Sequence, residues 1–330
     1  MSENRSHDGY LNKYAYGLAS PSVILPCGST TTNDHFQRWS QKELCYYTHY
    51  GQQAFFNSFI FTPNRMANGV FLNAQYEGFS EHPTLNDWIA WSNELFLQNN
   101  NVHALEQLAS NENNIEVWIT LPYPSLYYKQ TPNPLQQTYI HHPHKRAPLL
   151  KQWIKEFTQR FYQQFGNKNT LKLKGFVWPK EKLMSEEDIV LVKEVSEYIH
   201  SFHLHHMWLT QYGSANVIDW REHGFDVVVL HPNYYGNTPF DIDWITNNTI
   251  FSKHYQCGIQ IPYGKGLLYD DHHIYQYLNL GLPDKCNYMN NAFIVFHFDG
   301  IHLHEVAKEN PQLYTHMYTF VKGSYSKQPF

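Results

Sequence analysis

The chain has 330 residues, and its 24 Lys+Arg against 29 Asp+Glu leave a net charge of −5, so no basic surface points to nucleic acid or an anionic membrane. Only 16% of the residues are charged while 42% are apolar, which excludes a disordered chain. The 25 Tyr, 21 Phe, 9 Trp and 21 His suit stacking and hydrogen bonding better than ion pairing, the chemistry that meets a neutral, hydroxyl-rich ligand.

The opening residues, MSENRSHDGYLNKYAYGL, are polar and hold no apolar core of leader type. A cytoplasmic chain is therefore expected, or an extracellular one if a leader has been removed, with residues 1–20 as a loosely ordered arm. No stretch is apolar for long enough to span a bilayer as a helix. Cys27, Cys45, Cys257 and Cys286 stand far apart, so free thiols are expected in place of a disulfide framework or a zinc site.

Beyond the arm, apolar runs rich in β-branched and aromatic residues recur at 22–26, 55–62, 115–122, 173–178, 206–212, 226–231, 257–263 and 293–298. Their near-continuous apolarity fits parallel strands covered on both faces. Helical patterns lie between them at 85–110, 147–165, 185–203, 241–256, 271–280 and 302–321. The clearest is 185–203, with Ser185 as N-cap, Asp188 as a capping-box-like partner and a stripe of Ile189, Val192, Val195, Ile199 and Phe202. A weak helix around Asp219–His223, ending at Gly224, fills the short gap between strands five and six. Eight strands alternating with helices predict one α/β domain over 1–330, a (β/α)8 TIM barrel. The alternative is an open doubly wound sheet, but no glycine-rich phosphate loop opens any helix. Two connections are long, 63–84 after strand two and 123–145 after strand three. Both leave carboxyl ends of strands, the rim where barrels carry their sites, and both are expected to wall a groove there.

Candidate site residues are the hydrogen-bonding and aromatic residues at those strand ends. They are Tyr123, Trp178, Gln211, Tyr212, His231, Asn233, Tyr234, Gln260, Tyr263 and His297, with the carboxylates Glu181 and Asp299. Glycosidic cleavage generally uses two carboxyl groups, which makes Glu181 the candidate general acid/base and Asp299 its candidate partner. Asp226 opens strand six and so belongs to the opposite rim, as a structural residue. The histidine clusters at 141–144, 203–206, 272–273 and 302–304 fall in loops or at helix ends and carry no H-E-x-x-H spacing, so neither a metal nor any other cofactor is expected.

These segments resemble the bacterial family of the domain of unknown function 4855. The resemblance is carried by GFVWPKE (175–181), MWLTQYGSA (207–215) and DWREHGFDVVVLHPNYY (219–235). Weaker matches are FQRWSQKEL (36–44), FFNSFIFTP (55–63) and DWIAWSNELF (87–96). It implies a barrel similar to those of glycoside hydrolases, with unassigned substrates. One departure stands out. After strand seven the family is acidic, G-M-E-M-E-F-D, whereas this chain reads GIQIPYG (258–264), with Gln260 and Pro262 in the acidic stretch. An amide cannot serve as an ionised nucleophile. Three readings follow. One is a carbohydrate hydrolase acting on an oligo- or polysaccharide, using Glu181 with a relocated carboxylate (Asp299, Asp270 or Asp271). Another is a catalytically silent barrel that binds glycan through Trp178, Tyr212, Tyr234, Tyr235 and Tyr263. The third is a metal-dependent hydrolase built on strand-end histidines.

Overall fold

Each of the eight apolar runs forms a strand that finds its partners in its neighbours along the chain. The computed structural model describes residues 9–12, 14–29, 35–110, 113–125, 143–167, 170–239 and 241–329. Within them, β1 (Ser22–Cys27), β2 (Ser58–Pro63), β3 (Ile115–Thr120), β4 (Leu171–Trp178), β5 (His205–Gln211), β6 (Val227–His231), β7 (Gly258–Gly264) and β8 (Ile294–Asp299) are all parallel. β1 pairs with both β2 and β8, which closes the barrel. The order is that expected from the sequence, with β2 starting at Ser58, after the Phe55–Phe56 pair.

Side chains alternate across each strand, and the alternation splits the core in two. Ile24, Ile60, Trp118, Val177, Met207, Val229 and Val295 form a cluster inside the barrel. Their neighbours, such as Val23, Phe61, Phe176, Trp208, Leu230 and Phe296, join the larger cluster under the helices. Gly175 makes room for the interior indole: a Cβ there would lie 1.9 Å from the His205 carbonyl oxygen and 2.8 Å from the Trp118 ring. From Tyr10 onward the expected loose arm is packed. Leu11 and Leu18 join the interior cluster, and Leu11 exchanges backbone hydrogen bonds with Cys257 and Phe293 at 3.1 and 2.7 Å. This segment seals the amino-terminal end of the barrel. Residues 1–8 lie outside the described residues.

The helices are α1 (Gln41–Thr48), α2 (Leu85–Leu95), α3 (Asn101–Leu108), α4 (Pro143–Phe165), α5 (Glu186–His200), α6 (Asp243–Tyr255), α7 (His273–Leu280), α8 (Tyr288–Asn291), α9 (Leu303–Glu309) and α10 (Pro311–Val321). Two patterns expected as single helices are broken, each for a local reason. The 85–110 pattern divides at the Asn99–Asn101 run, where Asn99 and Asn101 take φ of +63° and +51°, a left-handed region that asparagine tolerates. The 302–321 pattern divides at Pro311, which lacks the N–H that would continue α9 and instead opens α10. The weak helix expected at Asp219–His223 is a series of turns. Trp220 anchors it, buried and donating from Nε1 to the Tyr255 carbonyl at 2.9 Å. No described helix is long and apolar enough to cross a membrane.

Asp226 sits on the amino-terminal rim, as expected. It accepts the His206 N–H and His200 Nε2–H, each at 2.8 Å. These bonds, with His205, hold its carboxyl below the usual aspartate range although burial opposes them.

Candidate functional site

Towards the carboxyl ends of the strands, the inward positions change from aliphatic to polar. Above Val229 comes His231, above Leu209 comes Gln211, and above Val295 come His297 and then Asp299; Gln260 faces the same space from β7. Above Ile60 and Trp118 stand Thr62 and Thr120, joined hydroxyl to hydroxyl at 3.0 Å. This polar layer floors a cavity of about 330 Å³ at the barrel mouth. The 63–84 connection walls one side through Asn73, Gln75 and Tyr76, and the segment after β7 walls another through Leu268 and Tyr269. The first of the two long connections thus lies where it was expected. In the second, residues 126–142 lie outside the described residues.

Glu181 and Asp299 both border this cavity. Glu181 is half-buried, and both of its oxygens are occupied. Gln211 Nε2 donates to Oε2 at 2.5 Å, and Gln75 Nε2 donates to Oε1. Burial raises the Glu181 pKa above the ordinary glutamate value, while the two amides and the nearby Lys182 charge pull the other way. Removal from water penalises the charged carboxylate, so the protonated form persists to higher pH. Asp299 is exposed at the rim and accepts the Tyr269 hydroxyl at 3.0 Å. Tyr235 lies within electrostatic reach of both: burial, then the charges of Glu181 and Asp299, push its phenol up to about 12. Its ring centroid is 5.2 Å from that of His231 on one side and 5.2 Å from that of Tyr269 on the other.

His231 is 7% exposed. Burial, reinforced by the neighbouring His297, drives its pKa down to about 3. Its Nδ1 lies 2.9 Å from the Asn233 backbone N–H and 3.1 Å from Asn233 Oδ1. His297 is likewise held neutral by burial, against the pull of Asp299.

Of the candidate site residues, Glu181, Asp299, Gln211, His231, Asn233, Gln260 and His297 line this one cavity. Trp178 borders the cavity but is 1% exposed, its ring edge-on to Tyr123 and His206, so it offers no open face for stacking. Four other candidates do not line the cavity. Tyr263 follows Pro262 and so points outward by strand alternation, stacked on His273. Tyr212 is also turned outward, against Trp244 and Phe251 beside α6. Tyr234 is buried and donates to Gln276 at 2.6 Å. Tyr123 donates to Asp188 below the neighbouring loop. Asp270 is occupied by the backbone N–H groups of His272 and His273 at the start of α7, at 2.8 and 2.6 Å, and neither it nor Asp271 lines the cavity. Gln75, Tyr76 and Tyr269 are site residues that strand-end reasoning missed, because they lie deep within connections. Among the described residues, no group of three or more His, Cys, Asp or Glu is placed to hold a metal ion.

Two predictions arise from this geometry. A Cβ on Gly264 would lie 2.6 Å from both the Asp299 carbonyl oxygen and the Tyr269 ring. Gly264→Ala is expected to push Tyr269 off Asp299 and cost about 1–3 kcal/mol by overpacking; an unchanged urea midpoint would contradict this. The second concerns pH. His231 and His206 are both buried with pKa lowered from 6.5 to about 3. A depressed pKa in the fold gives stability that is complete above pH 6.5 and lost as pH falls towards 3, because the unfolded chain takes up the protons first. Each imidazole should contribute a slope on the order of 1 kcal/mol per pH unit in that window. Thermal melts from pH 7 to 4 should show it, and His231→Gln should remove its own share while leaving that of His206.

The sequence pattern of the family described as Domain of unknown function (DUF4855) matches residues 28–320. No curated protein matches the chain. Among solved structures, the family 18 chitinase from Crocus vernus is similar at 10% identity and a TM-score of 0.49, covering 91% of this chain and 98% of that one. The GH18 chitinase from Pseudoalteromonas aurantia has 10% identity and a TM-score of 0.44, with 88% and 99% covered. A GH5-4 broad specificity endoglucanase from an uncultured bacterium has 9% identity and a TM-score of 0.45, with 97% and 98% covered.

Proposed function

The chain belongs to the family of the domain of unknown function 4855, and from its cavity we propose that it is a glycoside hydrolase in which Glu181 is the general acid and Asp299 the second carboxylate. The observation that carries this reading is that both carboxyl groups border one cavity, with the Glu181 pKa raised by burial. Glu181 in its protonated form gives its proton to the leaving oxygen of a glycosidic bond, which takes the place of the Gln75 amide. Gln211 keeps the carboxyl aimed. Glu181 follows β4 and Asp299 ends β8, on opposite sides of an eight-stranded barrel. On this assignment a water molecule stands between Asp299 and the sugar and the anomeric carbon is inverted, the arrangement for which carboxyl separations of about 6.5–9.5 Å are usual. Incubation with a glycan panel, with products read by mass and the anomer by NMR, is the test. Products with retained configuration would remove Asp299 from the role of base.

One observation favours a second reading, a barrel that binds glycan without cleaving it. Both Glu181 oxygens are held by amides, and β7 presents the amide Gln260, not a carboxylate, to the cavity. On that reading, glycans bind but none is cleaved.

A further inference from the structure

Three consecutive strands, β6, β7 and β8, present His231, Gln260 and His297 at inward positions of the cavity floor. Gln260 is 6% exposed. Its amide has no hydrogen-bond partner among the described residues, and neither has the His297 ring. His231 engages Asn233 through Nδ1, which leaves Nε2 for the cavity. The Gln260 amide is open to the cavity and not sealed in the core, so a ligand hydroxyl can reach it.

We propose that Gln260, His231 and His297 form the recognition ledge for a single uncharged sugar ring, and that Gln260 is a specificity residue. The inference rests on the hydrolase reading of the same cavity and adds its substrate class. The amide supplies two donors and an acceptor, the His297 imidazole a donor and an acceptor, and His231 its remaining Nε2, the complement of adjacent ring hydroxyls. Charge decides against acidic sugars. Among the described residues lining the cavity there is no Lys or Arg, and the charged ones are Glu181 and Asp299. A uronate in this cavity would meet two carboxylates, while the nearest cations, Lys180 and Lys182, line the adjoining pocket that shares Glu181, and burying a charge without a direct partner is unfavourable. Burial keeps His231 and His297 uncharged, so neither offsets that repulsion at neutral pH. The cavity's 330 Å³ gives room for a sugar ring on the floor.

The test is binding, read separately from cleavage. Glucose, galactose, mannose, xylose and N-acetylglucosamine are compared with glucuronate and galacturonate by saturation-transfer NMR and calorimetric titration, on the wild-type chain and on Glu181→Gln. At least one neutral sugar should bind to both proteins, with the uronates at least tenfold weaker. Gln260→Met should lower the neutral sugar's affinity at least tenfold, while His297→Gln, which keeps hydrogen-bonding groups, should lower it less. Circular dichroism and thermal melts check that each variant is folded. If Gln260→Met does not fold, the sugar ranking on the wild-type chain decides alone. No neutral sugar bound, uronates preferred, or a folded Gln260→Met with unchanged affinity would each overturn the ledge. Neutral-sugar binding without any hydrolysis would remove the hydrolase reading and leave the ledge standing. Cleavage of uronate polymers that depends on Glu181 would do the reverse.

Discussion

Glu181→Gln is expected to lower hydrolysis of a cleaved glycan by about 10²–10⁴-fold while changing glycan affinity by no more than a few-fold. The substitution preserves size and hydrogen bonding but removes the transferable proton. General acid catalysis contributes about 10²–10⁴-fold, and the amide can still sit between Gln75 and Gln211. A leaving group of low pKa, such as a nitrophenolate, needs little protonation, so the deficit should shrink on aryl glycosides. The pH profile supplies the second readout. The active form is protonated, so activity should fall as pH rises through the raised Glu181 pKa, and this basic limb should vanish in Glu181→Gln. Asp299→Asn should also be inactive, with aryl glycosides giving no rescue. A chain that cleaves glycan equally well with and without the Glu181 carboxyl would eliminate it as the acid. Wild-type and variant chains that are equally inactive but bind would identify a glycan-binding barrel.

The barrel was legible because buried parallel strands are apolar on both faces, and eight such runs recur at helix-sized intervals. Strand alternation was also legible in principle. Counting by twos from Gln260 and Pro262 turns Tyr263 outward, and counting from Gln211 does the same for Tyr212. Strand-end position alone did not separate the two faces, so aromatic residues from both were expected in the cavity. Gln75 and Tyr269 had no such signal. A side chain deep in a connection reaches the mouth by the path of the backbone, and no periodicity records that path. Tyr269 depends on Gly264 for its place against Asp299. The Gln260 departure, in contrast, was visible in the sequence. Its inward orientation gives the amide a place on the cavity floor.

Asp188→Leu is expected to be the most destabilising of these substitutions, by about 3–5 kcal/mol, because it strands a buried guanidinium. The sequence marks Asp188 as a partner in the α5 cap, and its backbone N–H does reach Ser185 Oγ at 3.1 Å. Its carboxylate goes elsewhere. Arg146, 1% exposed near the start of α4, donates from Nη2 to Asp188 Oδ1 at 2.5 Å and from Nε to the Pro124 carbonyl at 2.6 Å. Tyr123 donates its hydroxyl to the same carboxylate at 3.0 Å. Lys180 lies 4.2 Å from the Tyr123 ring centroid and pairs with Glu77 at 3.0 Å, so the buried pair also steadies the connection that carries Gln75. Arg146→Met should cost less than Asp188→Leu, because the carboxylate keeps the Tyr123 hydroxyl. The double variant should be more stable than the sum of the single changes implies, since removing both charges leaves neither stranded. Urea denaturation of the four proteins closes the cycle. Single changes that cost under about 1 kcal/mol and add without coupling would show that the pair is not the bond between α4 and α5 that its burial implies.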